Sequence, residues 1–136
     1  MPASDDRRTR TTDGHRIERP VLAATRIFAG TMVARDNAGW CKPAGAVATQ
    51  KTIGVAEEQA DNAGGANGDI RVKIRRKVTA CFANSAAADL IGSADVGNDC
   101  YVVDDQTVAK TDNSSAGPVA GRIVAVDAAG VWVEFG

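Results

Sequence analysis

One segment constrains the fold more than any other: between residues 69 and 83, apolar and basic side chains alternate with a period of two. Ile70, Val72, Ile74, Val78, Ala80 and Phe82 share one parity, while Arg71, Lys73, Arg75, Lys77 and Thr79 share the other. Successive side chains of a strand point to opposite faces, so this segment reads as a strand with one apolar and one strongly basic face. A helix would mix the two classes around its circumference. Arg76 interrupts the apolar parity and predicts a bulge or a sheet edge at that point.

The chain after residue 20 is punctuated in the manner of short strands joined by turns. Strands are expected over 21–28, 31–35, 40–42, 52–56, 99–104, 107–110, 118–126 and 131–135. Asp36-Asn37-Ala38-Gly39 and Asp127-Ala128-Ala129-Gly130 read as hairpin turns. The segment 57–68, rich in Gly, Asn, Asp and Ala, reads as a long exposed loop. Strand 99–104 carries apolar residues on both parities and is expected to be central and buried, and the Ala-rich stretch 84–96 has room for a helical turn or two. A length of 136 residues suits one domain with a real core. The expectation is therefore an all-β fold: a single-domain β-sandwich or jelly-roll-like barrel over 21–136, preceded by an extended arm over 1–20.

That arm holds Arg7, Arg8, Arg10, Arg16 and Arg19 among polar residues and has too little apolar surface to fold alone. It reads either as a loose terminus or as an arm that orders on a neighbouring subunit or an acidic surface. Sixteen Lys+Arg against 17 Asp+Glu leave a net charge of -1, so overall charge points to neither nucleic acid nor a membrane surface. The distribution is more telling, because the cations concentrate in the arm and on the two-faced strand. No apolar run approaches the roughly 20 residues of a membrane-spanning helix.

Catalytic chemistry finds little support. His15, the single histidine, lies in the polar arm with nothing to hold it against a nucleophile. Asp104 and Asp105 are adjacent on a strand and diverge, which suits an Asx-type turn better than acid–base work. Glu57, Glu58, Asp61 and Asn62 resemble a calcium loop in composition but lack its spacing, and Gly64, Gly65 and Gly68 lack the Lys-Ser/Thr of a phosphate cradle. Cys41, Cys81 and Cys100 form no CxxC pair and read as reduced core thiols of a cytosolic protein. No catalytic, cofactor or metal residue is assigned, and the chain reads as a non-enzyme. The stripe Arg71, Lys73, Arg75, Lys77 reads first as a solvated face that discourages edge pairing. It reads next as an interface for an acidic protein, and last as a track for nucleic acid. The last would need aromatic stacking platforms, and aromatics are only 4% of the chain, with none interleaved in the stripe.

A set of stretches in order carries a resemblance. They are Ile53-Gly54-Val55-Ala56-Glu57-Glu58, residues 60–66, the basic strand, Phe82-Ala83-Asn84-Ser85, Ala94-Asp95-Val96-Gly97, residues 100–109, Ala120-Gly121-Arg122 and residues 127–133. Over residues 21–135 the chain resembles the small cement, or head-decoration, proteins of tailed bacteriophages. The resemblance implies a β-rich, non-enzymatic accessory protein without catalytic residues. It would be made in the bacterial host cytoplasm and bind the exterior of the virion shell formed by the major capsid protein. It also implies self-association, as a homodimer or alternatively a homotrimer. On this reading the contacts come from the arm arginines, from Arg71, Lys73, Arg75 and Lys77, and from Trp40 and Trp132, since Trp is enriched at interface hot spots. The rival readings are a nucleic-acid-binding β-barrel, a small β-barrel hydrolase and another phage structural part such as a head-completion or tail protein.

Overall fold

The computed structural model describes residues 2, 4–6, 8 and 14–136. Among these the fold is all-β. In chain order the strands are β1 (Arg16–Pro20), β2 (Thr25–Ile27), β3 (Met32–Arg35), β4 (Cys41–Pro43), β5 (Lys51–Ala56), β6 (Ala60–Asn62), β7 (Arg71–Arg75), β8 (Val78–Phe82), β9 (Asp99–Asp104), β10 (Thr107–Ala109), β11 (Val119–Asp127) and β12 (Gly130–Phe135). The helical turns allowed at 84–96 are two 3₁₀ turns, Ala87–Asp89 and Ser93–Asp95. One five-stranded sheet runs β1-β7-β5-β3-β4, a second runs β10-β9-β11-β12-β8, and β2 pairs with β6 in a small ribbon. The strand pairings within them are antiparallel.

The first sheet curls. Just beyond β1, Val21 makes a bridge to Cys41 of β4, and the Leu22 N–H donates to the Cys41 carbonyl at 2.9 Å. The curl stops short of a closed barrel. Its concave face and the β2–β6 ribbon enclose a core of Val21, Ile27, Val33, Cys41, Ala56, Ala60, Val72 and Ile74. Its convex face contributes Met32, Ala34 and Val55 to a second core with Phe82, Ile91, Cys100, Val102, Ile123, Val131, Val133 and Phe135 of the other sheet and its connections. Strand β3 is buried on both sides for this reason. Gly54 permits the close approach of β5 to β7, because a Cβ there would collide with the Arg75 carbonyl.

The two-faced segment is divided between the sheets. Strand β7 ends at Arg75, β8 begins at Val78, and Lys77 between them has φ +53°. A left-handed turn at a residue with a side chain costs about 1–3 kcal/mol. Burial of Val72 and Ile74 in one core and Phe82 in the other, each worth about 1.5–3 kcal/mol, outweighs it. The break expected at Arg76 is thus a change of sheet rather than a bulge, and it leads into β8, an edge strand of the second sheet.

Other expectations are corrected. Residues 16–20 belong to the fold as β1, paired along their length with β7, so the segment 1–20 is not an arm throughout. The reason is that Ile17 and Arg19 turn inward opposite Ile74 and Val72. The strand expected at 21–28 is shorter, since a left-handed Ala24 turns the chain before β2. Strand β9 lies inside its sheet, but its outer face is open, with Val103 42% exposed. The segment 57–68 is not all exposed loop: β6 buries Ala60 and Asn62.

Asn62 ties this region together. Its Nδ2 lies 3.0 Å from the Leu22 carbonyl, 2.9 Å from that of Ala66 and 3.3 Å from that of Val21. The Val21 and Ala66 carbonyls also accept the Gly68 and Asp69 N–H groups, so removing the buried amide chiefly strands the Leu22 carbonyl, at about 1–3 kcal/mol. Asn62→Ala is therefore expected to lower unfolding free energy by about 2 kcal/mol, read from the urea midpoint. An unchanged midpoint would contradict this role.

Candidate charged binding face

The β1–β7 ladder sorts its side chains by face. Ile17 and Arg19 lie opposite Ile74 and Val72 on the concave side, while Arg16, Glu18 and Pro20 lie opposite Arg75, Lys73 and Arg71 on the convex side. The convex side of β7 therefore carries the stripe seen in the sequence, and Arg71, Lys73 and Arg75 are all exposed.

Acids from distant parts of the chain interleave with it. Glu18 lies directly opposite Lys73, and its carboxylate is 3.9 Å from Arg71 Nε. The Arg71 Nη2 also donates to the Glu18 carbonyl at 2.8 Å. Lys73 Nζ is 3.7 Å from Glu58. Arg16 and Arg75 face one another as a like-charged cross-strand pair, an unfavourable arrangement by itself. Glu57 resolves it: its Oε1 lies 2.9 Å from Arg16 Nε and 3.6 Å from Arg75 Nε. The Glu57 N–H donates to the Lys73 carbonyl at 2.9 Å, which fixes the carboxylate beside β7. The stripe is thus a mosaic of both signs, and Glu18, Glu57 and Glu58 are the residues that sequence reading missed as its partners. Glu57 and Glu58 instead appeared there as candidate cation ligands.

The remaining candidates separate. Arg7 and Arg10 lie outside the described residues, and Arg8 is exposed. Arg19 reaches across the mouth of the curled sheet, where Nη2 donates to the Gly39 carbonyl at 3.1 Å. Its guanidinium also lies near the Cys41 thiol and partly offsets the upward push that burial gives that group. Arg19 is therefore an internal tie. Lys77 stands apart from the stripe, at the crossover. Trp40 is half-buried where the curl brings β4 to the end of β1, its ring lying over Gly68 beside Pro20, and its backbone N–H donates to Asp36 Oδ1 at 3.0 Å. Trp132 is on the outer face of the second sheet, where Nε1 donates to Asp127 Oδ2 at 2.9 Å. That bond, with the Ala129 N–H, lowers the Asp127 pKa below the ordinary carboxylate value. Trp132 stands apart from the stripe, on the other sheet, whereas Trp40 lies beside Pro20, the partner of Arg71 in the ladder.

The other polar residues also have structural placements. Asp104 Oδ1 accepts the Gln106 N–H at 3.0 Å, closing the turn before β10. Burial, with the neighbouring Asp104 charge, raises the Asp105 pKa. Asp61 pairs with Arg26 at 2.8 Å and accepts the Ala63 N–H, and both contacts lower its pKa. Cys41, Cys81 and Cys100 are free thiols, and burial pushes Cys100 up to about 11. Among the described residues no group of His, Cys, Asp and Glu is arranged to hold a metal ion, and no helix is long and apolar enough to cross a membrane. No family model, curated protein or solved structure matches this chain.

Glu57→Gln is expected to lower stability by about 1 kcal/mol at low ionic strength, because it leaves Arg16 and Arg75 opposed. The loss should shrink as salt screens the exposed pair. Urea titrations at low and high salt check this, and a salt-independent loss would contradict an electrostatic origin.

Proposed function

We propose that this chain is a structural accessory protein of a tailed-phage head. It binds the outer surface of the assembled shell and cements neighbouring major capsid protein subunits. In this reading its two packed sheets form the jelly-roll-like rigid body implied by the resemblance, and the protein acts as a homo-oligomer on the virion exterior. The observation that carries the reading is the charged convex face of β1 and β7. Its cations and Glu18 stand on the paired strands β1 and β7, and Glu57 and Glu58 join them from just beyond β5, so they present a fixed pattern rather than a diffuse field. Such a surface selects a partner by complementary charge and suppresses wrong partners. A protein that binds only the assembled lattice stabilises that lattice by mass action. The mosaic also weakens the nucleic-acid alternative, because Glu18, Glu57 and Glu58 would repel phosphates drawn to the stripe.

Shells of the parent phage that lack this protein provide the test by co-sedimentation. The full chain should bind saturably, at a fixed number of copies per shell. Deleting residues 1–13 spares β1 and isolates the contribution of the preceding arginines, and its loss of affinity is the expected result. Arg71→Glu with Lys73→Glu should weaken binding by at least about tenfold. Failure of the folded full chain to bind shells would overturn the reading, and undiminished binding by the double variant would remove the convex face from it.

A further inference from the structure

Asn67 is the one asparagine of the chain that a glycine follows. Such a pair is chemically labile, because glycine has no side chain to shield its backbone nitrogen from the preceding side-chain amide. Both residues are exposed, yet the fold holds each reacting group. They occupy the middle of a tight turn in which the Asp69 N–H donates to the Ala66 carbonyl at 3.2 Å. Gly68 has φ +79°, as the third position of a type II turn requires. The Asn67 Oδ1 accepts the Ala23 N–H at 2.8 Å, and the Gly68 N–H donates to the Val21 carbonyl at 2.9 Å. The amide open to attack and the nitrogen that would attack it are thus pinned to different residues of the segment between β1 and β2. The Trp40 ring lies over Gly68, with Cζ3 3.1 Å from where a Cβ would stand.

We propose that Asn67 is a deamidation site whose reaction the native fold gates. The Gly68 nitrogen loses its proton and bonds to Asn67 Cγ, the Cγ–Nδ2 bond breaks, and ammonia leaves with that proton. Water then opens the succinimide at either carbonyl and leaves aspartate or isoaspartate at position 67. The ring cannot close while the turn stays docked. The nitrogen has to give up the proton it shares with Val21, and the side chain has to leave Ala23 to bring Cγ onto that nitrogen. The reaction therefore runs through the population in which the turn has come away from residues 21–23. Chemistry slower than opening and closing has a rate proportional to that population. Isoaspartate lengthens the main chain by one carbon before Gly68, which draws the Gly68 N–H off Val21 and prevents the turn from reseating. Asn62 ties the same corner through the Ala66, Val21 and Leu22 carbonyls, so the two asparagines act on one opening. The inference is independent of the capsid reading.

Peptide mapping by mass spectrometry tests it, on the full chain incubated at mildly alkaline pH, once folded and once unfolded in guanidinium chloride. In the unfolded chain Asn67 should be the first asparagine converted. In the folded chain its conversion should be at least about tenfold slower. Asn62→Ala should speed the folded-state reaction by at least about threefold and leave the unfolded rate within about twofold of the parent. Should that variant not fold, guanidinium below the unfolding transition of the parent chain should raise the rate in the same direction. The isolated isoaspartyl form should unfold at a lower denaturant midpoint. Equal rates in folded and unfolded chains, or no preference for Asn67 in the unfolded one, would overturn the proposal. A folded Asn62→Ala chain that reacts at the parent rate would overturn the gating, and an unchanged midpoint would overturn the failure to reseat.

Discussion

The change of sheet at Arg76 and Lys77 is the constraint on which the rest of the structure depends. A single period-two pattern serves two different cores: Val72 and Ile74 fill the concave side of the curled sheet, and Phe82 fills the space between the two sheets. Edge strand β1 pairs with the first half of that pattern and β12 with the second. The register of both sheets is therefore tied to one short connection. A slip of one residue on either side would turn its apolar set outward and its cations inward. The left-handed Lys77 keeps the two halves in phase with their separate cores.

The same connection organises charge. Before it, the cations of β7 stand among glutamates on an exposed face. After it begins, Arg76, Lys77 and His15 line one pocket together with Arg16 and Arg75, the pair that Glu57 bridges. The mosaic suits recognition of another charged surface by pattern. Its exposed pairs contribute little to stability, about 0–1 kcal/mol each, so their placement bears mainly on specificity.

Much of this was legible in the chain itself. The hairpin turns at Asp36-Asn37-Ala38-Gly39 and Asp127-Ala128-Ala129-Gly130 follow from local chemistry: in each, the first Asp accepts a backbone N–H two residues on, at 2.9 and 2.8 Å. The parity of β7 and β8 was equally plain. What escaped reading depends on distant partners. Strand β1 hid in an arginine-rich stretch because only pairing with β7 makes Ile17 and Arg19 inward residues. Strand β6 hid because Asn62 reads as a turn former, and its burial is made tolerable by the Ala66 carbonyl together with those of Val21 and Leu22, which are distant in sequence. The charged face looked wholly basic because Glu18, Glu57 and Glu58 join it only through the sheet, and the fate of Arg7 and Arg10 lies outside the described residues.

Nuclear Overhauser contacts along residues 70–82 of the full chain in solution test the division of that segment most directly. The account predicts cross-strand contacts of Ile74 with Ile17 and of Ala80 with Val133, together with a strong intraresidue amide–Hα contact at Lys77 that marks its positive φ. An extended Lys77, with contacts running unbroken from Ile70 to Phe82 along a single partner strand, would contradict it.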